Sequence, residues 1–192
     1  MVIRKAKPEE FKIIVSHILL AMDELMYHFT GGDSKEGAIQ LLEKLARGKG
    51  NQYSYENCWV AEDENGIAGS VIVYDGAKLH QLKETVIREI KSMFNIDFHL
   101  EDETQAGEYY IDSIGVNPNR QGQGIGSTIF QFLINEYVFN RKETLGLLVD
   151  KDNPKAKKLY LNLGFEKVGE KTLAGKCMEH LQYRTGNKNY LK

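Results

Sequence analysis

The stretch VNPNRQGQGIGS, residues 116–127, places Gly122, Gly124 and Gly126 within five positions. It follows the strand-like run YYIDSIGV and precedes a segment whose apolar residues recur at helical spacing. A glycine-rich turn between a strand and a helix lets successive backbone N–H groups point into one concavity, where the helix dipole also favours an anion. The stretch therefore predicts an anion site at residues 121–127, with Arg120 as an additional cation.

Two familiar phosphate motifs do not fit this stretch. A dinucleotide fingerprint requires G-x-G-x-x-G after an early strand, whereas this sequence runs G-x-G-x-G and comes late in the chain. A phosphate-binding loop of the Walker type requires Gly-Lys-Ser/Thr, but Ser127 follows Gly126 without a lysine. Taken alone, the stretch is also compatible with a glycine-rich helix start that binds nothing.

Composition narrows the class of protein. The chain has 192 residues, of which 42% are hydrophobic and 27% charged, as in a single globular domain. A formal net charge of −2 argues against nucleic acid as a partner. The sequence shows no charged leader and no long apolar span, so we expect a cytoplasmic protein without a membrane partner. Cys58 and Cys177 lack metal-site spacing, and we expect no metal.

Alternating patterns place strands and helices along one domain, residues 1–192. The first helix is expected to begin at Pro8 and to end near Gly31-Gly32, and Asp33 or Ser34 to cap the second. The sequence Asn65-Gly66 predicts a tight hairpin turn. Further elements are expected as a helix near 79–93, a strand at 109–116, a helix after the glycines, a strand at 144–150, a helix from 153 to 164 and two final strands. The order strand, helix, strand around the glycines indicates a parallel pair.

Two separated motifs together resemble the GNAT family of N-acetyltransferases. Its Gln/Arg-x-x-Gly-x-Gly/Ala pattern matches Gln121, Gly124 and Gly126. Its second element, an asparagine that opens a helix, a later tyrosine and then Gly-Phe, matches Asn153, Tyr160 and Gly164-Phe165. The resemblance is strongest over residues 58–183. It implies an α/β fold of mixed type, with a mostly antiparallel sheet of about six or seven strands, one splayed parallel pair, and flanking helices.

The resemblance also implies a donor substrate, acetyl-coenzyme A. Its pantetheine arm is expected between strands 109–116 and 145–150, and its pyrophosphate on the glycine turn. The predicted cofactor-binding residues are Ile114, Val116, Gln121, Gly122, Gln123, Gly124, Ile125, Gly126, Ser127, Asn153 and Tyr160.

The predicted chemistry is attack of an amine on a thioester, which needs a neutral amine and a proton for the departing thiolate. Asn153 and Tyr160 are seven residues apart, so they share one face of a helix. By resemblance, Asn153 contacts the cofactor and Tyr160 is the general acid near its sulfur. The alternative for Tyr160 is an ordinary core aromatic residue.

The general base is less clearly marked. By the family resemblance, relatives with a glutamate on the fifth strand have a clear candidate base, and the matching position in this chain is Leu148. Asp112, within an otherwise apolar strand beside the expected cleft, is the best substitute. The alternative interpretation is that Asp112 is a buried structural carboxylate whose oxygens accept hydrogen bonds from backbone or hydroxyl groups. Glu108 and Asp150 are weaker candidates because strand ends are usually solvated, and ordered water is equally compatible.

The predicted function is acetyl-coenzyme A-dependent N-acetyl transfer to a primary amine of a small molecule or peptide, by direct attack in a ternary complex. The alternative is a non-catalytic acyl-coenzyme A binding or sensing module of the same fold. The family resemblance also implies a homodimer. A cationic amine is expected from the acidic and aromatic residues of the variable segments, namely Asp23, Glu24, Asp33, Tyr27, Phe29, Tyr53 and Tyr55.

Overall fold

The computed structural model describes residues 1–28, 30, 35–99 and 101–186, without the side chains of 23–28. The expected helix end at Gly31-Gly32 and the cap at Asp33 or Ser34 lie outside the described residues. Elsewhere the predicted order of elements is confirmed. The helices are α1 (Phe11–His28), α2 (Lys35–Arg47), α3 (Leu79–Phe94), α4 (Ile125–Leu133) and α5 (Pro154–Leu163).

The described residues form a seven-stranded sheet in the order β1-β2-β3-β4-β5-β7-β6. Only the β4–β5 pair is parallel. This confirms the mixed, mostly antiparallel fold. The strands are β1 (Val2–Lys5), β2 (Cys58–Asp63), β3 (Gly66–Asp75), β4 (Tyr109–Val116), β5 (Leu145–Asp150), β6 (Glu166–Leu173) and β7 (Lys176–Tyr183).

Helices cover both faces of the sheet, and each face has its own apolar core. On the first face, α1, α2 and α3 pack against Val60, Ile72 and Tyr110. On the second face, α4 packs with residues such as Leu147 and Leu181. The single helix expected after the glycines continues past α4 as a π-helix, Ile134–Asn140. Tyr137 and Val138 of this wider segment are buried in the second core.

Backbone pairing between β4 and β5 is short. Tyr109 pairs with Leu145, Tyr110 with Gly146 and Ile111 with Leu147. Both strands continue beyond this point, to Val116 and Asp150, without pairing to each other. The expected splayed parallel pair is therefore present, and it opens at Ile111.

A β-bulge marks the same place on β4. Ile72 of β3 pairs with Ser113, and the next residue, Val73, pairs with Ile111. Asp112 is thus the extra residue. Bulges interrupt a ladder and re-aim side chains, often next to active sites. The irregularity therefore sets the direction of Asp112 at the point where the strands separate.

Gly115 allows α1 to approach β4. A Cβ atom at this position would overlap the carbonyl oxygen and Cα of His17 in the middle of α1. His17 is itself buried, and its Nδ1 lies 3.0 Å from the hydroxyl of Ser70 on β3. The close contact fixes α1 over the open part of β4.

We predict that Gly115→Ala lowers the free energy of unfolding by about 1–3 kcal/mol, because the added methyl group overpacks the α1–β4 contact. Gly169→Ala is the matched control, since a Cβ there meets no atom within 4 Å. Urea unfolding of both variants measures the difference. Equal stability of the two would show that α1 does not rest on Gly115.

Candidate active site

The glycine turn has the geometry of an anion cradle. Gly122 and Gly124 have φ angles of 78° and 76°, in the left-handed region that favours glycine. Gly124 is the N-cap of α4, so the first N–H groups of that helix have no acceptor within the helix. A Cβ at Gly122, Gly124 or Gly126 would meet no atom within 4 Å. The turn is therefore open and suits a phosphate group.

The other residues of the turn differ in what they can offer. Gln121, Gln123 and Ser127 are exposed. Ile125 is buried in the second core, so only its backbone can contact a ligand. Arg120 does not extend the cradle as a free cation, because its guanidinium binds both carboxylate oxygens of Asp63, with Nη1 3.0 Å from Oδ1. That hydrogen-bonded pair lowers the pKa of Asp63 to about 2.

The open part of β4 offers a backbone edge. Ile114 and Val116 pair with Val71 and Gly69 of β3 on one side. On the other side, toward β5, the pairing has ended at Ile111. An unpaired strand edge binds extended ligands through main-chain hydrogen bonds. This edge leads from the opening of the sheet to the glycine turn.

Helix α5 follows Asn153 and contacts α4 through Tyr160. Asn153 is the N-cap, and its Oδ1 accepts a hydrogen bond from the N–H of Ala156 at 3.1 Å. The Tyr160 ring packs against Phe130 and Phe165, with centroids 5.2 and 6.2 Å apart. Its hydroxyl has no hydrogen-bond partner in the described part of the chain. Burial raises the pKa of Tyr160, so the phenol stays protonated. Tyr160 is thus a packed aromatic residue whose protonated hydroxyl can donate a hydrogen bond.

Leu148, the position on β5 where the family resemblance would place a base, packs against the first core. Beside it on β7 is His180, which sequence reasoning left out of the site. His180 Nε2 lies 2.8 Å from Glu108 Oε2, and both residues are buried. Gly146 leaves room for this carboxyl group, which a Cβ there would overlap.

Glu108 differs from the solvated strand-end carboxylate that the sequence predicts. Besides His180, its carboxylate accepts hydrogen bonds from Thr104 Oγ1 at 2.6 Å and Gln182 Nε2 at 2.8 Å. Burial alone would raise the pKa of Glu108, but these hydrogen bonds outweigh it and the pKa is lowered. A carboxylate so fully satisfied fastens the loop before β4 to β7 and is a poor proton acceptor.

Asp112 lies in a very different environment. Its Oδ1 is 3.4 Å from the Tyr74 hydroxyl, while its buried Oδ2 has no hydrogen-bond partner among the described residues. The same hydroxyl donates to Glu103 Oε1 at 2.8 Å. Burial, and secondly the Glu103 carboxylate, raise the pKa of Asp112 from 3.8 to about 8, against the opposing effect of the Tyr74 hydrogen bond. Sequence reasoning found Asp112 but missed Glu103, whose loop carries no distinctive pattern.

Residues 26–165 match the acetyltransferase (GNAT) family. The chain belongs to the GNAT family. Solved structures agree: a crystal structure of an acetyltransferase has a TM-score of 0.80 and 29% identity, with 96% of this chain and 99% of that one covered. An N-acetyltransferase from Staphylococcus aureus Mu50 has a TM-score of 0.74 and 24% identity, with 95% and 100% covered.

Curated relatives of this GNAT protein align over shorter segments. The N-alpha-acetyltransferase RimI of Mycobacterium tuberculosis is 40% identical over 62 residues, which are 32% of this chain and 37% of the relative. The mycothiol acetyltransferase of Kytococcus sedentarius is 38% identical over 67 residues, 35% of this chain and 22% of the relative. The chain therefore matches well under half the length of these relatives.

Most of the residues expected to select the acceptor are ones whose side chains the structure does not describe. Phe29 and Asp33 are not among the described residues, nor are the side chains of Asp23, Glu24 and Tyr27. Tyr53 is buried, and its pKa is raised by burial and by Asp112 and Glu103. Within the described ranges, no helix is long and apolar enough to cross a membrane. Those ranges also contain no group of three or more residues able to hold a metal ion.

We predict that Gly126→Leu weakens coenzyme A binding at least tenfold, because the new side chain occupies the open space above the first turn of α4. Gly126 has no positive φ and no neighbour to clash with, so the stability should change little. Gly124 is a poorer test because its φ of 76° strains any other residue. Isothermal calorimetry with coenzyme A measures the effect, and unaltered affinity would exclude the turn from the phosphate site.

We predict that Asp112→Asn is more stable than the parent protein at neutral and alkaline pH. The folded-state pKa of about 8 lies above the ordinary 3.8, so this carboxyl group stabilises the fold fully at acid pH and loses that contribution as pH rises toward 8. The stability difference should grow by about 1.4 kcal/mol per pH unit between about pH 5 and pH 8. Urea unfolding across this range measures it; parallel stability curves would contradict the assignment.

Proposed function

We propose that the protein is an acetyl-coenzyme A-dependent N-acetyltransferase that acts by direct attack of a primary amine in a ternary complex. One observation carries the proposal: the β4–β5 pairing ends at Ile111, next to Asp112, whose buried Oδ2 has no hydrogen-bond partner among the described residues. The acceptor is an amine of a small molecule or peptide. The name of the N-alpha-acetyltransferase RimI makes the α-amino groups of peptides reasonable first acceptors to test.

The residues that would hold the donor have geometry that supports this proposal. The N–H groups from Gly122 to Ser127 suit the pyrophosphate, and the open edge of β4 at Ile114 and Val116 suits the pantetheine arm. Gln121 and Gln123 are exposed beside the turn, and Asn153 keeps its side-chain nitrogen for a ligand because only its oxygen caps α5. Acetyl-coenzyme A, when bound, supplies the thioester carbonyl and the thiolate leaving group.

Asp112 would accept a proton from the acceptor. An alkylammonium ion must lose a proton before its nitrogen can attack, and a carboxylate with a pKa of about 8 is a much stronger base than an ordinary aspartate. The unpartnered Oδ2 is the atom that would take the proton. The bulge in β4 explains how Asp112, a residue within a sheet strand, can be directed to the point where β4 and β5 separate.

Tyr160 would give a proton to the departing thiolate. Its packed ring holds the side chain in place, and its hydroxyl has no competing partner among the described residues. The raised pKa keeps the proton on the phenol at neutral pH. A phenol is a weaker acid than a thiol, so hydrogen bonding to the sulfur would already stabilise the developing charge.

The second candidate function is an acyl-coenzyme A binding or sensing module without catalysis. Leu148, which stands where the family resemblance would place a base, favours it. Such a module would keep the glycine cradle but would not require Asp112 or Tyr160. The cytoplasmic location, the homodimer, and the absence of nucleic-acid and membrane partners stay predictions from the sequence.

The test is release of coenzyme A thiol with a panel of alkylamines, amino sugars and peptides. We expect kcat/KM to rise with pH toward about 8 and to level off above it, as Asp112 ionises. Asp112→Asn should lower turnover about 100-fold or more, and Tyr160→Phe about tenfold or more, with the affinity for acetyl-coenzyme A retained.

Tyr183→Phe is a control of the same chemical change at a residue outside the proposed machinery, because Tyr183 lies on β7 in the second core. Binding of acetyl-coenzyme A without turnover of any acceptor would favour the sensing module. Full turnover by Tyr160→Phe would remove that hydroxyl from the mechanism.

A further inference from the structure

The loop that precedes β4 carries a second carboxylate to the neighbourhood of Asp112. Glu103 is 6% exposed, although it belongs to a polar loop that composition would place in solvent. Its Oε1 accepts hydrogen bonds from the Tyr74 hydroxyl and from Gln52 Nε2. Tyr74 therefore stands between two carboxyl groups, at 2.8 Å from Glu103 and 3.4 Å from Asp112.

A clamp on α3 holds this loop in place. Lys83 is 4% exposed, and its Nζ lies 2.9 Å from Asp102 Oδ1 and 3.7 Å from Glu103 Oε2. The same ammonium group donates to the carbonyl of Glu101. A buried lysine with so many acceptors in three consecutive residues fixes the backbone of the loop, and thereby the position of Glu103.

The Tyr74 hydroxyl has one hydrogen, which cannot serve both carboxylates at once. The shorter contact assigns that hydrogen to Glu103. Asp112 can then bond to Tyr74 only as a protonated carboxyl that donates to the phenolic oxygen. The negative charge of Glu103, together with burial, therefore favours the protonated form of Asp112.

The groups that face Asp112 are acidic or neutral. Among the described side chains they are Tyr74 from β3, Tyr110 from β4, Tyr53 from the segment before β2, and Glu103. Lys83 lies behind Glu103 and binds the loop. Among the described residues, no cation forms an ion pair with Asp112, so a ligand cation bound beside Oδ2 would have the Asp112 and Glu103 carboxyl groups as acidic neighbours.

We propose that Glu103 is a specificity-determining residue of the acceptor site, which, joined to Asp112 through Tyr74, makes the protein take its acceptor as an ammonium cation. This rests on the proposed function, in which Asp112 faces the acceptor. The arriving cation favours the ionised form of Asp112, whose own proton leaves to solvent, and the Asp112 carboxylate then takes one proton from the ammonium group. The amine becomes neutral and the Asp112 carboxylate becomes a carboxylic acid, so charge and protons balance.

The test uses Glu103→Gln and two amine probes, benzylamine, which is a cation at neutral pH, and aniline, which is neutral. Calorimetry with coenzyme A present gives the affinities. We expect benzylammonium to bind the variant about tenfold more weakly, because one charge-assisted interaction is lost. The affinity for aniline should change less than about twofold, because a neutral amine does not make that interaction. Glu101→Gln is the matched control, because that side chain accepts a bond from the N–H of Ala174 on the other side of the loop.

A second readout does not depend on an acceptor. In protein labelled with carbon-13 at aspartate carboxyl groups, the NMR titration midpoint of Asp112 should move to lower pH in Glu103→Gln, because a neighbouring negative charge is gone. Glu101→Gln should leave it in place. Thermal melting confirms that both variants fold.

The proposal is overturned by any of three results: no binding of benzylammonium to the parent protein, equal loss for both amines, or an unmoved Asp112 midpoint. These outcomes are separable from failure of the proposed function. If Glu103→Gln loses cation binding while no amine is ever acetylated, the site is a cation site and the transferase proposal fails. If turnover occurs without cation preference, the transferase proposal stands and Glu103 is structural.

Discussion

The early end of backbone pairing between β4 and β5 is the constraint on which the rest of the site depends. After Ile111 and Leu147 the two strands diverge, which frees one edge of β4 inside an otherwise continuous sheet. An unsatisfied row of N–H and C=O groups within a fold is unfavourable, so it needs a ligand or water. The bulge at Asp112 stands beside this opening, and the glycine turn and α4 follow directly from the open strand.

The buried carboxyl group of Asp112 lowers the stability of the fold when it is ionised. Asp112 has a buried oxygen without a partner among the described residues and lies close to a second carboxyl group, and both features disfavour the charged state that the proposed general base must reach. The surrounding structure tolerates it because Lys83 fixes Glu103, and Thr104, His180 and Gln182 satisfy Glu108 at the other end of the loop. Strain and buried charge at functional sites are commonly supported in this way by well-packed neighbours.

Much of this fold could be predicted from the sequence because it depends on local conformational preferences of the residues. Glycine at positive φ, asparagine at a helix cap and Asn-Gly in a hairpin are requirements of the backbone, and each falls where expected. The bulge at Asp112, the π-helical continuation of α4 and the buried position of Glu103 were not predictable. They arise from contacts between residues far apart in the chain, such as Gln52 with Glu103, for which a single sequence has no local signal. The hydrogen bond between Glu108 and His180 is of the same kind.

The donor and the proposed acceptor would be recognised by different parts of the structure, and the loop held by Lys83 belongs to the acceptor side. The donor edge uses mainly backbone groups, which persist under most side-chain replacements, whereas the proposed acceptor pocket is completed by side chains from one connecting segment between α3 and β4. Divergence in that segment can therefore alter substrate choice while the donor is retained. A family built on such a division can acquire new acceptors by exchanging a single connection, without redesigning its sheet.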